Sequence, residues 1–197
     1  MQLKDSQTKV NLMRAFAGES QARNRYEFAA SQAKQLKLHV VEHVFKFTAD
    51  QEKEHAEVFY NLLKELAGEN IAVDGNYPID LHDDIQRQLE SAHHNEYQEY
   101  EHDYAAFANV AKQEGFAKVS AIFQGIAAIE KTHGDRFMRV LDFMQRDRLF
   151  TSENEVSWMC LNCGHIHTGT SAPQQCPICS HDQGYFIRTS WVPIIGE

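Results

Sequence analysis

Cysteine is absent from the first 159 residues of this 197-residue chain. A disulfide framework spread along the chain is therefore excluded. Proline is scarce too, with only four, at positions 78, 173, 177 and 193. Long helices can run without interruption where it is missing. No stretch approaches the roughly 18 consecutive apolar residues of a membrane span. The segment Met1 to Lys9 is polar and charged, and no apolar run follows it. No signal peptide is expected, and the expected location is the cytoplasm. Cations are the minority, 19 Lys and Arg against 28 Asp and Glu, a formal net charge of -9. That balance argues against nucleic acid or an anionic membrane as partner. It leaves two readings: simple solubility, or carboxylates buried around metal cations.

What is present is helical periodicity. Apolar residues recur at helical spacing in four long stretches, predicted at about Ser6 to Leu36, His39 to Ala67, Asp80 to Gly115 and Phe116 to Asp147. Gly68 and Gly115 stand where helix stops are expected. The loop through Asp74, Gly75, Asn76 and Pro78 is rich in turn residues. Four rods of similar length, each roughly 40 Å at ~1.5 Å per residue, predict a four-helix bundle over residues 1–150. Residues 151–155 turn polar and read as a linker. Residues 156–197 change to short β-type pieces, Val156 to Met159, Tyr185 to Ile187 and Trp191-Val192, punctuated by glycine and proline. A domain of that size needs a metal or another staple.

The bundle carries two copies of Glu-x-x-His, Glu52 to His55 on the second helix and Glu130 to His133 on the fourth. Residues at i and i+3 share a helix face, so one metal can be reached by both side chains. A lone copy is most often a solvated pair. Here each copy follows a further glutamate, Glu19 by 33 residues and Glu96 by 34. Four Glu and two His then converge at the bundle centre, the ligand set of di-iron carboxylate bundles. Carboxylates and imidazoles suit iron in two oxidation states, and manganese or zinc also fit them. Glu99 adds a carboxylate three residues after Glu96; its plain alternative is surface charge, with Glu101 and Asp103 nearby. His93 reads as a residue beside the ligands or in solvent. Tyr26 and Tyr104 lie about two turns after Glu19 and Glu96, where a phenol can hold a ligand carboxylate or simply pack.

All four cysteines fall in two Cys-x-x-Cys pairs, Cys160/Cys163 and Cys176/Cys179. Two knuckles of this kind make a tetrahedral S₄ site for iron or zinc.

These residues match a family. Ala15 to Tyr26 (Ala-Phe-Ala-Gly-Glu-Ser-Gln-Ala-Arg-Asn-Arg-Tyr) resembles the first helix of rubrerythrins. Glu52-Lys53-Glu54-His55-Ala56 and Glu130 to Phe137 resemble their two ligand helices. Tyr104 to Ala108 followed by Glu114-Gly115 is similar to the third helix, and Cys160 to Phe186 to the rubredoxin-like module. The resemblance spans nearly the whole chain. It implies a mainly α fold, a ferritin-like four-helix bundle followed by a small β/loop rubredoxin-like Cys₄ domain. By the same resemblance Glu19, Glu52, His55, Glu96, Glu99, Glu130 and His133 hold two irons. Glu52 and Glu130 bridge, and Glu99 exchanges with His55 as one iron changes oxidation state. Tyr26 and Tyr104 support ligands, and Cys160, Cys163, Cys176 and Cys179 hold one redox-active iron. The sequence departs from the pattern at His165, where tyrosine is usual, at Asn95, where glycine is frequent, and at Ala105-Ala106 in place of Pro-Glu. Lys34 to Leu38 also lacks the usual Glu-Gly turn.

The expected function is a non-haem di-iron peroxidase, reducing hydrogen peroxide to water in oxidative-stress protection. Electrons would pass through the Cys₄ iron from a donor redox protein or an NAD(P)H-linked reductase. A homodimer or larger homo-oligomer is expected. The competing readings are a ferritin-like ferroxidase, a di-iron oxidase or oxygenase, and a non-enzymatic metal protein whose Cys₄ site holds zinc.

Overall fold

The computed structural model describes residues 1–192. Helix α1 (Gln7–Gln35) begins at Ser6, whose hydroxyl accepts from the Lys9 N–H, a standard N-cap. It ends where Lys37 takes a left-handed φ of 58° and the Leu38 N–H reaches back to the Ala33 carbonyl. That six-residue closure usually uses glycine; here lysine fills the place of the absent Glu-Gly. Helix α2 (His39–Leu62) returns along α1. The expected helix to Ala67 is shorter. Its last turn tightens into a 3₁₀ segment, Lys64–Leu66, which keeps Leu63 and Leu66 buried.

The third rod also departs from expectation. It starts at Ile85, not Asp80, with the Asp84 carboxylate capping the Gln86 N–H. Asp80 is held instead by Arg25 and Asn95, and Gln32 donates to the carbonyls of His82 and Asp83. Those contacts hold 80–83 outside the helix. The rod comprises α3 (Ile85–Gln98), a π-helical turn (Glu99–Asp103) and α4 (Tyr104–Gln113). Gly115, at φ 91°, closes it, and α5 (Ala117–Gln145) packs back along both halves.

Two apolar layers fill the bundle. One gathers Tyr26, Phe45, Leu89, Phe137 and Val140. The other gathers Leu12, Phe59, Tyr104, Ala108 and Phe123. No helix of the described residues is long and apolar enough to cross a membrane.

Residues 151–155, expected as a linker, form the first half of strand β1 (Thr151–Cys160). The strand pairs antiparallel with β2 (Ile166–Ser171) and with β3 (Phe186–Arg188), in the order β2-β1-β3. The polar run serves as strand because Thr151 already pairs with Ser171 across an irregularity before Val156. Trp191 sits in a 3₁₀ turn (Thr189–Trp191), not the expected strand, and its ring packs edge-on against Phe143 of α5. The last five residues of the predicted small domain, 193–197, lie outside the described residues.

The small domain is seated on one end of the bundle. Tyr185 lies against His39 with ring centroids 3.8 Å apart. Arg188 is buried, stacks over Phe143 and Trp158, and donates to the carbonyls of Arg148 and Thr151.

Candidate metal centres

Between the two apolar layers lies a buried polar cluster. Glu19, Glu52, Glu96, Glu130 and His133 are each no more than 2 % exposed, and His55 is 7 % exposed. Isolated charges do not survive there without partners. The six side chains resolve into two overlapping groups. Glu19, Glu52, His55 and Glu130 each place a ligand atom within 4.8 Å of the others, and so do Glu52, Glu96, Glu130 and His133. Glu52 and Glu130 belong to both, the position of a bridge. The two imidazoles stack nearly parallel, with centroids 5.5 Å apart.

The orientation of the atoms is as telling as their proximity. His133 Nδ1 lies 2.9 Å from Glu52 and 2.8 Å from Glu130, and His55 Nδ1 lies 2.9 Å from Glu130. Yet both Nδ1 atoms, both oxygens of Glu52 and Glu130, and one oxygen each of Glu19 and Glu96 lack a hydrogen-bond partner. They aim at shared points and not at one another. Orphaned buried acceptors in such numbers need a cation, and the donor set fits two divalent or trivalent metals.

The electrostatics of the metal-free cluster agree. Burial and the Glu52 charge push Glu19 up to about 8. Burial, then Glu52, raises Glu96 and pushes Glu130 well above the carboxylate range. Burial opposes ionisation of Glu52 as well, but His133 and His55 draw it down to about 2. The same carboxylates overcome burial to lift His55 to about 10 and His133 to about 11. Without metal, protons hold the cluster together; metal binding must expel them.

Each outer carboxylate is tied by a phenol from another rod. Tyr26 on α1 donates to Glu96 on α3, and Tyr104 on α4 donates to Glu19 on α1. Both hydroxyls are buried in the apolar layers, so packing and ligand support are one arrangement. Tyr26 follows Glu19 by seven residues, whereas Tyr104 follows Glu96 by eight. The π-turn absorbs the extra residue, and such turns recur at functional sites. That one-residue mismatch is the trace the turn leaves in the sequence.

Glu99 opens that turn and stands outside both four-residue groups. It is half-buried and lines a cleft of about 810 Å³ together with Gly18, Arg25, Tyr77, Asn95 and Tyr104. Burial first, then Glu19, Glu96 and Glu52, raises its carboxyl well above the usual range. It is not simple surface charge. His93 does not face the cluster: Nδ1 meets the Gly134 carbonyl at 3.0 Å, and the ring rests on Tyr97.

In the small domain Cys160 and Cys179 sulfurs are 3.7 Å apart, as are Cys163 and Cys176. All four fall within one metal-sized group. The two knuckles match. Gly164 and Ser180 take left-handed φ of 76° and 60° and donate to the Cys160 and Cys176 carbonyls. Cys160 and Cys176 in turn donate to the carbonyls of His165 and His181. The His181 N–H leads in drawing the Cys179 thiol down to about 6, the state that binds metal. At the divergent position His165, the backbone does the work, which any residue supplies.

A helical bundle centred on carboxylates and imidazoles, followed by a four-thiol knuckle, defines a metal-binding protein of the ferritin-like class with two separate centres. The chain belongs to the rubrerythrin family. The family profile described as Rubrerythrin matches residues 10–141, and the one described as the rubrerythrin rubredoxin-like domain matches residues 158–187. The chain is 41% identical to a rubrerythrin of Clostridium perfringens over 185 residues, covering 93% of this chain and 95% of that one. It is 38% identical to a rubrerythrin of Nitratidesulfovibrio vulgaris over 184 residues, with the same coverage. Among solved structures, nigerythrin in its mixed-valence state aligns with TM-score 0.62 and 25% identity, covering 93% of this chain and 90% of that one.

Proposed function

We propose that this chain is a peroxidase that reduces hydrogen peroxide to water at an iron-loaded carboxylate–histidine cluster. A second iron centre, held by Cys160, Cys163, Cys176 and Cys179, returns the electrons. One observation carries the reading: a paired-metal cluster and a one-metal Cys₄ knuckle stand on the same chain. The first suits a two-electron reaction and the second suits electrons delivered singly.

Bound iron would supply the electrons that divide the O–O bond. The chain's residues do the rest. Glu19 and His55 on one side, and Glu96 and His133 on the other, would each hold one metal, while Glu52 and Glu130 would serve both. Tyr26 and Tyr104 keep Glu96 and Glu19 turned inward, as supporting hydrogen bonds do at metal sites. Glu99 stands on the wall of the cleft, where it can carry a proton inward or exchange with His55. The apolar layers above and below keep water from the cluster.

Tyr185 of the small domain rests on His39, thirteen residues before Glu52. That is about 20 Å along a helix at ~1.5 Å per residue. The long gap supports a homodimer or larger homo-oligomer in which the module of one chain serves the cluster of another. The external donor would be a redox protein or an NAD(P)H-linked reductase. A cytoplasmic location and a role in oxidative-stress protection complete the reading.

The test is steady-state peroxide consumption with an NADH-linked reductase, beside metal analysis. About three irons per chain and peroxide turnover abolished in Cys179→Ser are expected. Zinc in the Cys₄ site with turnover unaffected by that change would contradict it and favour a ferroxidase or oxidase with a structural tail.

A further inference from the structure

The cluster is nearly two-fold symmetric in its ligands, but its surroundings are not. On α5, Arg136 lies one turn beyond His133. Its guanidinium crosses to α2, donating to Thr48 Oγ1 at 2.7 Å and Gln51 Oε1 at 3.0 Å. Thr48 is fully buried one turn before Glu52, and Gln51 is its neighbour. The same guanidinium stacks over the Phe47 ring at 4.8 Å. Both hydrogen-bond partners are neutral, and among the described residues no carboxylate pairs with Arg136. The carboxylates that feel its charge are Glu96, Glu52 and Glu130.

The other half lacks this cation. The matching position on α2, three after His55, is Val58, which is 39% exposed. Arg25 is the cation whose charge reaches Glu99, but Asp80 pairs with it, each side chain only about an eighth exposed. That half carries an extra carboxylate instead: Glu99, whose strongest charge neighbour is Glu19. One lobe therefore has an uncompensated cation beside it, and the other has none at the matching position.

We propose that Arg136 makes the two metal positions electrically unequal, so that the one-electron-reduced cluster keeps its ferric ion in the Glu19/His55 lobe and its ferrous ion in the Glu96/His133 lobe. A positive charge one helical turn away disfavours the higher metal charge beside it. Arg136 is a positioning and charge-setting residue that touches neither metal nor peroxide. The inference rests on the reading that two irons fill the cluster, and not on which oxidant they meet.

The experiment is a reductive titration of the iron-loaded full chain, with the mixed-valent cluster followed by low-temperature EPR. Its maximal yield gives the comproportionation constant. In Arg136→Gln that constant should fall about tenfold, the order expected of one unit charge acting across a half-buried site. Arg136→Lys should restore most of it, and the Cys₄ iron should titrate as in the parent protein. An unchanged constant in Arg136→Gln with two irons bound overturns the proposal. Should the glutamine variant lose iron, Thr48→Val reads the same quantity: it keeps the charge but releases its anchor, and no fall there is equally fatal. Failure of the underlying reading looks different, because the parent protein would then show no paired iron before any titration.

Discussion

Two phenols tie the halves of the cluster together in a crossed pattern, and that pattern sets how each ligand residue behaves. Tyr104 donates to Glu19 from a buried position. Tyr104→Phe keeps the ring in its layer but leaves that carboxylate oxygen without a donor. Metal retention in the Glu19/His55 lobe should weaken by about 10- to 100-fold, with helix content unchanged, as chelator-competition kinetics beside circular dichroism would show. A second residue-scale prediction concerns the seat of the small domain. Glu42 is buried, accepts from Lys46 and meets His39 Nδ1 at 2.9 Å. Burial opposes its charge, but Lys46 and His39 hold its carboxyl below the usual range. A carboxyl depressed in the folded state stabilises above its unfolded value and loses that contribution as pH falls through the folded one. Glu42→Gln should therefore cost about 1 kcal/mol at neutral pH. The gap to the parent protein should close as pH drops below the carboxylate range. Parallel thermal melts across pH measure it; a gap that persists in acid would contradict the assignment.

Elements decide whether these residues meet. The π-turn at Glu99–Asp103 lets α3 present Glu96 and α4 present Tyr104 to the same cluster although eight residues separate them. Deleting the exposed Glu101 removes the extra residue. The rod should then become regular α-helix, and everything after it should turn by roughly 100°. Tyr104 and Ala108 would leave the core while Glu96 stays. The variant should lose at least one metal per chain, and its melting point should fall; a variant that keeps both metals would show that the turn is dispensable. Much of this element scale was legible in the sequence. Four helical periods, their glycine stops and the two Glu-x-x-His copies fixed which faces point inward. The π-turn was written only as a one-residue mismatch between repeats. The start of α3 was hidden because Asp80 is a plausible cap until Arg25 and Asn95 claim it. Strand β2, Ile166–Ser171, carries too few apolar residues to announce itself. Nothing in the residues beside Arg136 shows that it reaches across to Thr48.

At the scale of the whole molecule, the small domain is not a free appendage. Tyr185 on His39, Trp191 on Phe143 and buried Arg188 fasten it to the end of its own bundle. The Cys₄ knuckle therefore has a fixed place relative to α2, some distance from the paired-metal cluster of the same chain. The cysteine spacing announced the knuckle but not this docking, which depends on single aromatic contacts with no periodic signature. The division of labour between the two centres is the core of the functional account, and one anaerobic experiment tests it most directly. The fully reduced protein receives one equivalent of hydrogen peroxide while its visible spectrum is followed, and a parallel sample receives air. The account predicts fast return of the oxidised absorption of both centres with peroxide and a much slower response to oxygen. Faster oxidation by oxygen than by peroxide, or a Cys₄ centre whose spectrum never changes, would contradict it.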